Sequence, residues 1–256
     1  MSVKPNVLLL GGTTEASRLA LLLAEYGIAA IFSYAGRTES PRTQPIAMRT
    51  GGFGGVLGLA AYLREHRITH LVDATHPFAA KMSANAVTAA ALTGTALAAL
   101  TRPAWQPEAG DRWTRVPGLG DAIEALKGPR RRIMLALGRM HVDAFGAQPQ
   151  HHYLLRFVDA PEHPPALPDH SLVVDRGPFL AETDRDLLRT HAIDLIVCKN
   201  AGGSGASAKL VAARQLGLPV LMIDRPALPE RREFQRPQDV IRWLGHDACP
   251  STERGV

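Results

Sequence analysis

Four apolar residues in succession, Val7, Leu8, Leu9 and Leu10, run into Gly11-Gly12-Thr13-Thr14 and then into Glu15-Ala16-Ser17-Arg18-Leu19-Ala20-Leu21-Leu22-Leu23. A strand without a polar member is buried on both faces, and a helix that begins directly after it packs back onto one of them. The glycine turn between the two is the arrangement that sets bare backbone N–H groups and a positive helix end against a phosphate. Its spacing departs from G-x-G-x-x-G, so the turn alone fits either an anion site or an ordinary strand-to-helix connection.

The same element recurs. Ile68-Thr69-His70-Leu71-Val72 resembles Ile193-Asp194-Leu195-Ile196-Val197 at an offset of 125 residues (68 to 193), and both copies end in an Arg-Pro pair, Arg102-Pro103 and Arg225-Pro226, at an offset of 123 (102 to 225). A third apolar run, Ile133 to Leu137, closes on Gly138 as Val7 to Leu10 closes on Gly11. Constant order at nearly constant offset predicts an α/β protein of two Rossmann-like halves, each a mainly parallel sheet flanked by helices, with a cleft between them. The expected boundaries are 1–104 for a nucleotide-binding half, 105–128 for a turn-rich bridge, 129–245 for a second half and 246–256 for a disordered tail. Strands are expected at 28–34, 68–74, 95–100, 133–137, 152–157, 171–174, 195–199 and 220–223. Helices are expected near 58–67, 79–93 and 121–126, with loops at the proline clusters 161–168 and 226–237.

Of the 256 residues, 46% are hydrophobic and 21% charged, which suits a globular chain able to bury one large core or two. The small-apolar region from Ala84 to Leu100 is broken by Asn85, Thr88, Thr93, Gly94 and Thr95, so no membrane span is expected. Lys4 and Pro5 precede only four apolar residues, which is not a secretory signal, and the two cysteines, Cys198 and Cys249, offer no disulfide framework. A cytoplasmic protein follows, with a monomer as the working expectation. Its formal net charge of +5 favours anionic partners. Aromatics make up only 5% and no basic run is interleaved with them, which argues against nucleic acid and for a small polyanion.

In open α/β sheets ligands sit beyond the carboxyl ends of the strands, and the exits of this chain carry the polar residues. At the first, Thr13 and Thr14 can add hydroxyl donors to the backbone of Gly11 and Gly12. At the second, Ser33, Tyr34, Gly36, Arg37 and Thr38 precede any carboxylate. An NAD site places an acid there for the ribose hydroxyls and an NADP site a cation for the extra phosphate, so NADP(H) is favoured. At the third, Asp73-Ala74-Thr75-His76-Pro77-Phe78 packs a carboxylate, a hydroxyl, an imidazole and an aromatic ring into one turn, with His76 a candidate general acid. In the second half, Lys199 to Lys209 holds Asn200, Gly202, Gly203, Ser204 and a second lysine between strand and helix. That loop lacks the Gly-Lys-Ser/Thr of a Walker sequence and suits carboxylates instead. Arg139, Arg156 and Arg176 stand near other second-half strands and can add to an anion pocket. No His, Cys or carboxylate set has metal-ligand spacing, since His151 and His152 diverge on a strand, and no Gly-x-Ser-x-Gly elbow follows a strand.

Taken together, Leu10 to Glu15, Tyr34-Ala35-Gly36-Arg37, Gly51 to Gly55 with Gly58-Leu59, Asp73 to Ala79, Arg102-Pro103-Ala104-Trp105, and Lys199-Asn200 with Gly202-Gly203 and Ala208-Lys209 resemble the precorrin-6A reductase family of cobalamin biosynthesis. The resemblance implies NADPH-dependent reduction of a ring-D carbon–carbon double bond of precorrin-6A to give precorrin-6B. It places NADPH on Gly11, Gly12, Thr13, Thr14, Arg37 and Thr38, with Asp73, Thr75, His76, Pro77 and Phe78 near the nicotinamide. It places the polycarboxylate tetrapyrrole on Lys199, Asn200, Gly202, Gly203, Ser204 and Lys209. A reductase of another anionic metabolite and a non-catalytic bilobed sensor of NADPH or a polyanion are the alternatives that the residues themselves leave open.

Overall fold

The computed structural model describes residues 4–36, 42–175, 177 and 179–245. Two six-stranded sheets, parallel at every pairing, organise them. The first contains β1 (Asn6–Leu10), β2 (Ala29–Tyr34), β3 (Ala47–Thr50), β4 (His70–Asp73), β5 (Ala96–Leu100) and, from far along the chain, β12 (Arg232–Phe234). Their spatial order is β12-β5-β4-β1-β2-β3. The second sheet contains β6 (Arg112–Val116), β7 (Arg132–Ala136), β8 (His152–Phe157), β9 (His170–Val174), β10 (Leu195–Lys199) and β11 (Pro219–Ile223), ordered β6-β11-β10-β7-β8-β9. Each order reverses once, between β1 and β4 in the first sheet and between β7 and β10 in the second, which is the topological switch point of a doubly wound fold.

The period-two geometry of a strand explains the unbroken apolar runs. On β1, Val7 and Leu9 face α1 (Thr14–Glu25) and α7 (Pro237–Trp243), packing with Leu19, Leu23, Val240 and Ile241. Leu8 and Leu10 face the other way, onto Leu59 and Leu63 of α2 (Gly55–Glu65) and Ala86 and Ala89 of α3 (Ala80–Thr93). The second sheet packs Met134, Leu154, Ile196 and Met222 against Leu188 of α5 (Ala181–Thr190) and Leu210 and Ala213 of α6 (Ala208–Leu216).

The unit boundaries differ from the expected ones. One unit comprises Met1–Arg102 with Ala227–Val256 and the other Pro103–Pro226. The segment expected to be a bridge carries β6 and α4 (Leu119–Glu124), and β6 pairs with β11 through Trp113↔Val220 and Val116↔Ile223. The segment 227–245, expected in the second half and read as proline-rich loop up to 237, returns to the first sheet. There Arg232 pairs with Ala98 and Phe234 with Leu100, and α7 closes the core over α1. The two sheet orders match position for position, except that β6, the sixth strand in sequence, completes the second sheet and β12, the twelfth, completes the first. Residues 37–41 and the tail 246–256 lie outside the described residues.

His70, at the start of β4, stacks edge-on to Trp243 of α7 with ring centroids 5.0 Å apart, and burial holds its imidazole below the ordinary value of 6.5. The unfolded chain therefore binds this proton more readily, so the stability linked to His70 is complete above that value and is lost as pH falls through the folded one. Urea denaturation at pH 7.5 and 5.5 should show a lower midpoint at the acidic pH, and His70→Phe should shrink that difference. Ile241→Ala should cost about 2–5 kcal/mol and should weaken hydrogen-exchange protection in β1 and α1 while leaving that of β10 intact.

Candidate functional site

The turn after β1 is shaped by contacts that only glycine and threonine allow. A Cβ on Gly11 would lie 2.0 Å from Cε1 of the buried Phe32 ring, and Gly12 holds φ at +118° with open space where its side chain would be. Thr13 caps α1: its Oγ1 accepts from the Ala16 N–H at 3.1 Å and donates to the Ala74 carbonyl at 2.8 Å. The Ala74 N–H in turn donates to the Leu10 carbonyl at 2.9 Å. The two strand exits that flank the switch point are therefore tied together, and the Thr13 hydroxyl is spent on that tie instead of facing a ligand. Gly12 and Thr14 are exposed, so bare backbone at the positive end of α1 is accessible, and a nucleotide pyrophosphate fits this cradle. Glu15 pairs inward with Arg102 at 3.1 Å, at the end of β5.

The third exit is organised around a buried carboxylate. Asp73 Oδ1 accepts from the Thr75 N–H at 3.1 Å and the Thr75 hydroxyl at 2.6 Å, and Oδ2 accepts from the Ser83 hydroxyl at 2.6 Å and from Arg231 Nη1. The side chains of Asp73 and Arg231 are only 1% and 6% exposed. Both oxygens of Asp73 are thus committed to the protein, which makes it the residue that fixes the turn. What the turn presents is His76, exposed, beside half-buried Phe78 and buried Pro77. His76 Nδ1 accepts from the Phe78 N–H at 3.2 Å, so the neutral ring carries its proton on Nε2.

At the second exit, Arg37 and Thr38 lie outside the described residues. The neighbouring strand supplies a cation that the sequence reading passed over. Arg49 on β3 donates to the Ser33 hydroxyl at 2.7 Å and to the Gly51 and Gly52 carbonyls at 3.0 and 3.2 Å.

In the second unit the loop after β10 is built around Trp105. Asn200, 4% exposed, accepts the Trp105 N–H at 2.8 Å and donates to the Trp105 carbonyl at 3.0 Å. The indole N–H donates to the Gly203 carbonyl at 2.7 Å. Lys209 is also buried; its ammonium donates to the Ala206 carbonyl and lies 4.8 Å from the Trp105 ring centroid. Gly202, at φ +71°, packs where a Cβ would meet the Pro103 carbonyl at 2.1 Å. Asn200, Gly202, Gly203 and Lys209 consequently hold the loop's shape, and Ser204 is exposed and Lys199 half-buried along it. Arg225 clamps the same loop through the Asn200 and Ala201 carbonyls at 3.0 and 3.1 Å. Arg156 is buried against Asp184 and under Phe179, a structural pair, while Arg139 is exposed and Arg176 lies outside the described residues. Burial pushes the Cys198 thiol up to about 11, far from a nucleophilic thiolate. Among the described residues no helix is long and apolar enough to cross a membrane, and no three His, Cys, Asp or Glu side chains gather as metal ligands.

Two parallel sheets in this order, with a glycine cradle at the first switch point, define a protein of two Rossmann-like halves. A family model described as precorrin-6x reductase CbiJ/CobK matches residues 6–245, and the chain belongs to that family. It is an oxidoreductase. The precorrin-6A reductase of Rhodobacter capsulatus is 56% identical over 252 residues, covering 98% of this chain and 99% of its own. That of a Sinorhizobium species is 50% identical over 225 residues, covering 87% and 85%. A solved structure described as CobK precorrin-6A reductase superposes with a TM-score of 0.90 at 56% identity, covering 98% of this chain and all of the other.

Arg231 lies 158 residues from Asp73 in sequence, and no local pattern pairs them. Arg231→Met should destabilise the protein by about 3–5 kcal/mol by leaving the carboxylate buried and unpaired. Adding Asp73→Asn should recover part of that loss in chemical denaturation.

Proposed function

We propose that this chain reduces precorrin-6A to precorrin-6B, adding a hydride from NADPH and a proton across a ring-D carbon–carbon double bond, as a step of cobalamin biosynthesis in the cytoplasm. The observation that carries the reading is the Gly11–Thr13 cradle tied to the β4 exit, in a chain aligned end to end with precorrin-6A reductases. NADPH supplies the hydride when bound. The chain's own part is to hold and orient.

Gly11 and Gly12 bring backbone close to a pyrophosphate, Thr13 keeps that backbone in place, and Arg37 and Thr38, outside the described residues, are assigned to binding the phosphorylated ribose. The turn Thr75 to Phe78, fixed by Asp73, Ser83 and Arg231, serves the reactive end. Lys199 and Ser204 orient the acetate and propionate groups of the macrocycle, on a loop whose form Asn200, Gly202, Gly203 and Lys209 maintain. A conjugated macrocycle is its own electron sink, so positioning supplies most of the acceleration.

In an anaerobic assay with precorrin-6A, loss of NADPH absorbance should run in step with the change in the macrocycle spectrum. Tight binding of both molecules without NADPH oxidation would leave a sensor in place of an enzyme. Arg37→Ala should raise KM for NADPH more than for NADH, and equal effects would contradict the phosphate role. His76→Ala separates two proton sources: a fall in kcat of about a hundredfold assigns the proton to the imidazole, and a change of only a few fold assigns it to solvent.

A further inference from the structure

We infer that Arg49 is a specificity-determining cation, reading the 2′-phosphate of the nucleotide from β3, beside the end of β2; the inference rests on the NADPH reading. Leu10, Ser33 and Arg49 are register partners across β1, β2 and β3, one row of the sheet. At about 4.8 Å between strands, this row sets Arg49 two strands away from the glycine cradle. Ser33, 5% exposed, stands at the end of β2, where an NAD site keeps the acid that binds ribose hydroxyls. Here that position accepts a hydrogen bond from a guanidinium.

Arg49 is held differently from the arginines that pair with carboxylates. Arg231, Arg156, Arg131 and Arg214 are each bound to a carboxylate. Arg49 forms no ion pair among the described residues. Its partners are all neutral: Ser33 Oγ and the Gly51 carbonyl on Nη1, and the Gly52 carbonyl on Nη2. Its Cζ lies 4.0 Å from the ring centroid of Phe53 and 5.1 Å from that of Tyr62. Three hydrogen bonds and two rings fix the guanidinium without neutralising it, and two of its five N–H donors, Nε–H and one on Nη2, remain for a ligand. Half-buried, it is still reachable, and ideal Cβ positions on Gly51 and Gly52 meet open space. A phosphate dianion satisfies both the charge and the two donors.

Calorimetric titration of the full chain with 2′,5′-ADP and with 5′-ADP tests this. Arg49→Met should weaken 2′,5′-ADP by about 10- to 100-fold and 5′-ADP by no more than about twofold. Arg49→Lys, which restores charge without the planar fork, should recover part of the difference, and the NADPH-to-NADH ratio of KM should move in the same direction. Equal losses for both probes would make Arg49 a structural residue and overturn the inference, as would an unchanged affinity for 2′,5′-ADP. A wild-type chain that binds 2′,5′-ADP no better than 5′-ADP would overturn the NADPH reading itself, and the inference with it.

Discussion

The carboxylate of Asp73 ties together the strand exits of the first unit. It stands at the last position of β4, on the switch-point side of the sheet, and takes four donors from three segments: Thr75 in its own turn, Ser83 on α3 and Arg231 on the strand-bearing segment that returns late in the chain. A charge taken out of water needs this number of partners, because desolvation is otherwise uncompensated. The same four contacts set the path of residues 74–79. That path meets the glycine cradle through the Thr13–Ala74 bond, so the geometry of the cradle and of the His76 turn depend on one buried pair.

The central strands of both sheets are legible in the sequence because burial on two faces leaves no room for polar residues. The runs at 152–157 and 195–199 match β8 and β10 end to end. The missed strands are edges. β3 (Ala-Met-Arg-Thr), β6 (Arg-Trp-Thr-Arg-Val) and β12 (Arg-Glu-Phe) lie at the borders of their sheets, pair on one side and expose most of their residues, so they carry charge instead of an apolar run. With β6 and β12 read as loop, the exchange of strands between the halves and the true unit boundaries could not be seen.

For the site the division is similar. Local geometry is written in local sequence: Gly11 and Gly12 are glycines because a ring and a positive φ require them, and Asp73-Ala74-Thr75 is a self-bonded turn. Partnerships across the fold are not. Arg49 stands next to Ser33 only through strand pairing, Arg231 reaches Asp73 only after the chain has crossed back, and Asn200 and Lys209 look like surface ligands until Trp105 is placed between them. Polar residues in a glycine-rich loop read as binding groups, yet several are the loop's internal scaffolding.

The exchanged edge strands also bear on how the chain is made. During synthesis the first five strands of one sheet leave the ribosome long before residues 232–234, which complete that sheet. Until then β5 has an open hydrogen-bonding edge and Asp73 lacks its guanidinium. The order of emergence thus delays completion of that sheet until residues 232–234 have been translated, and it favours a folding process in which late, sequence-distant pairings lock both sheets.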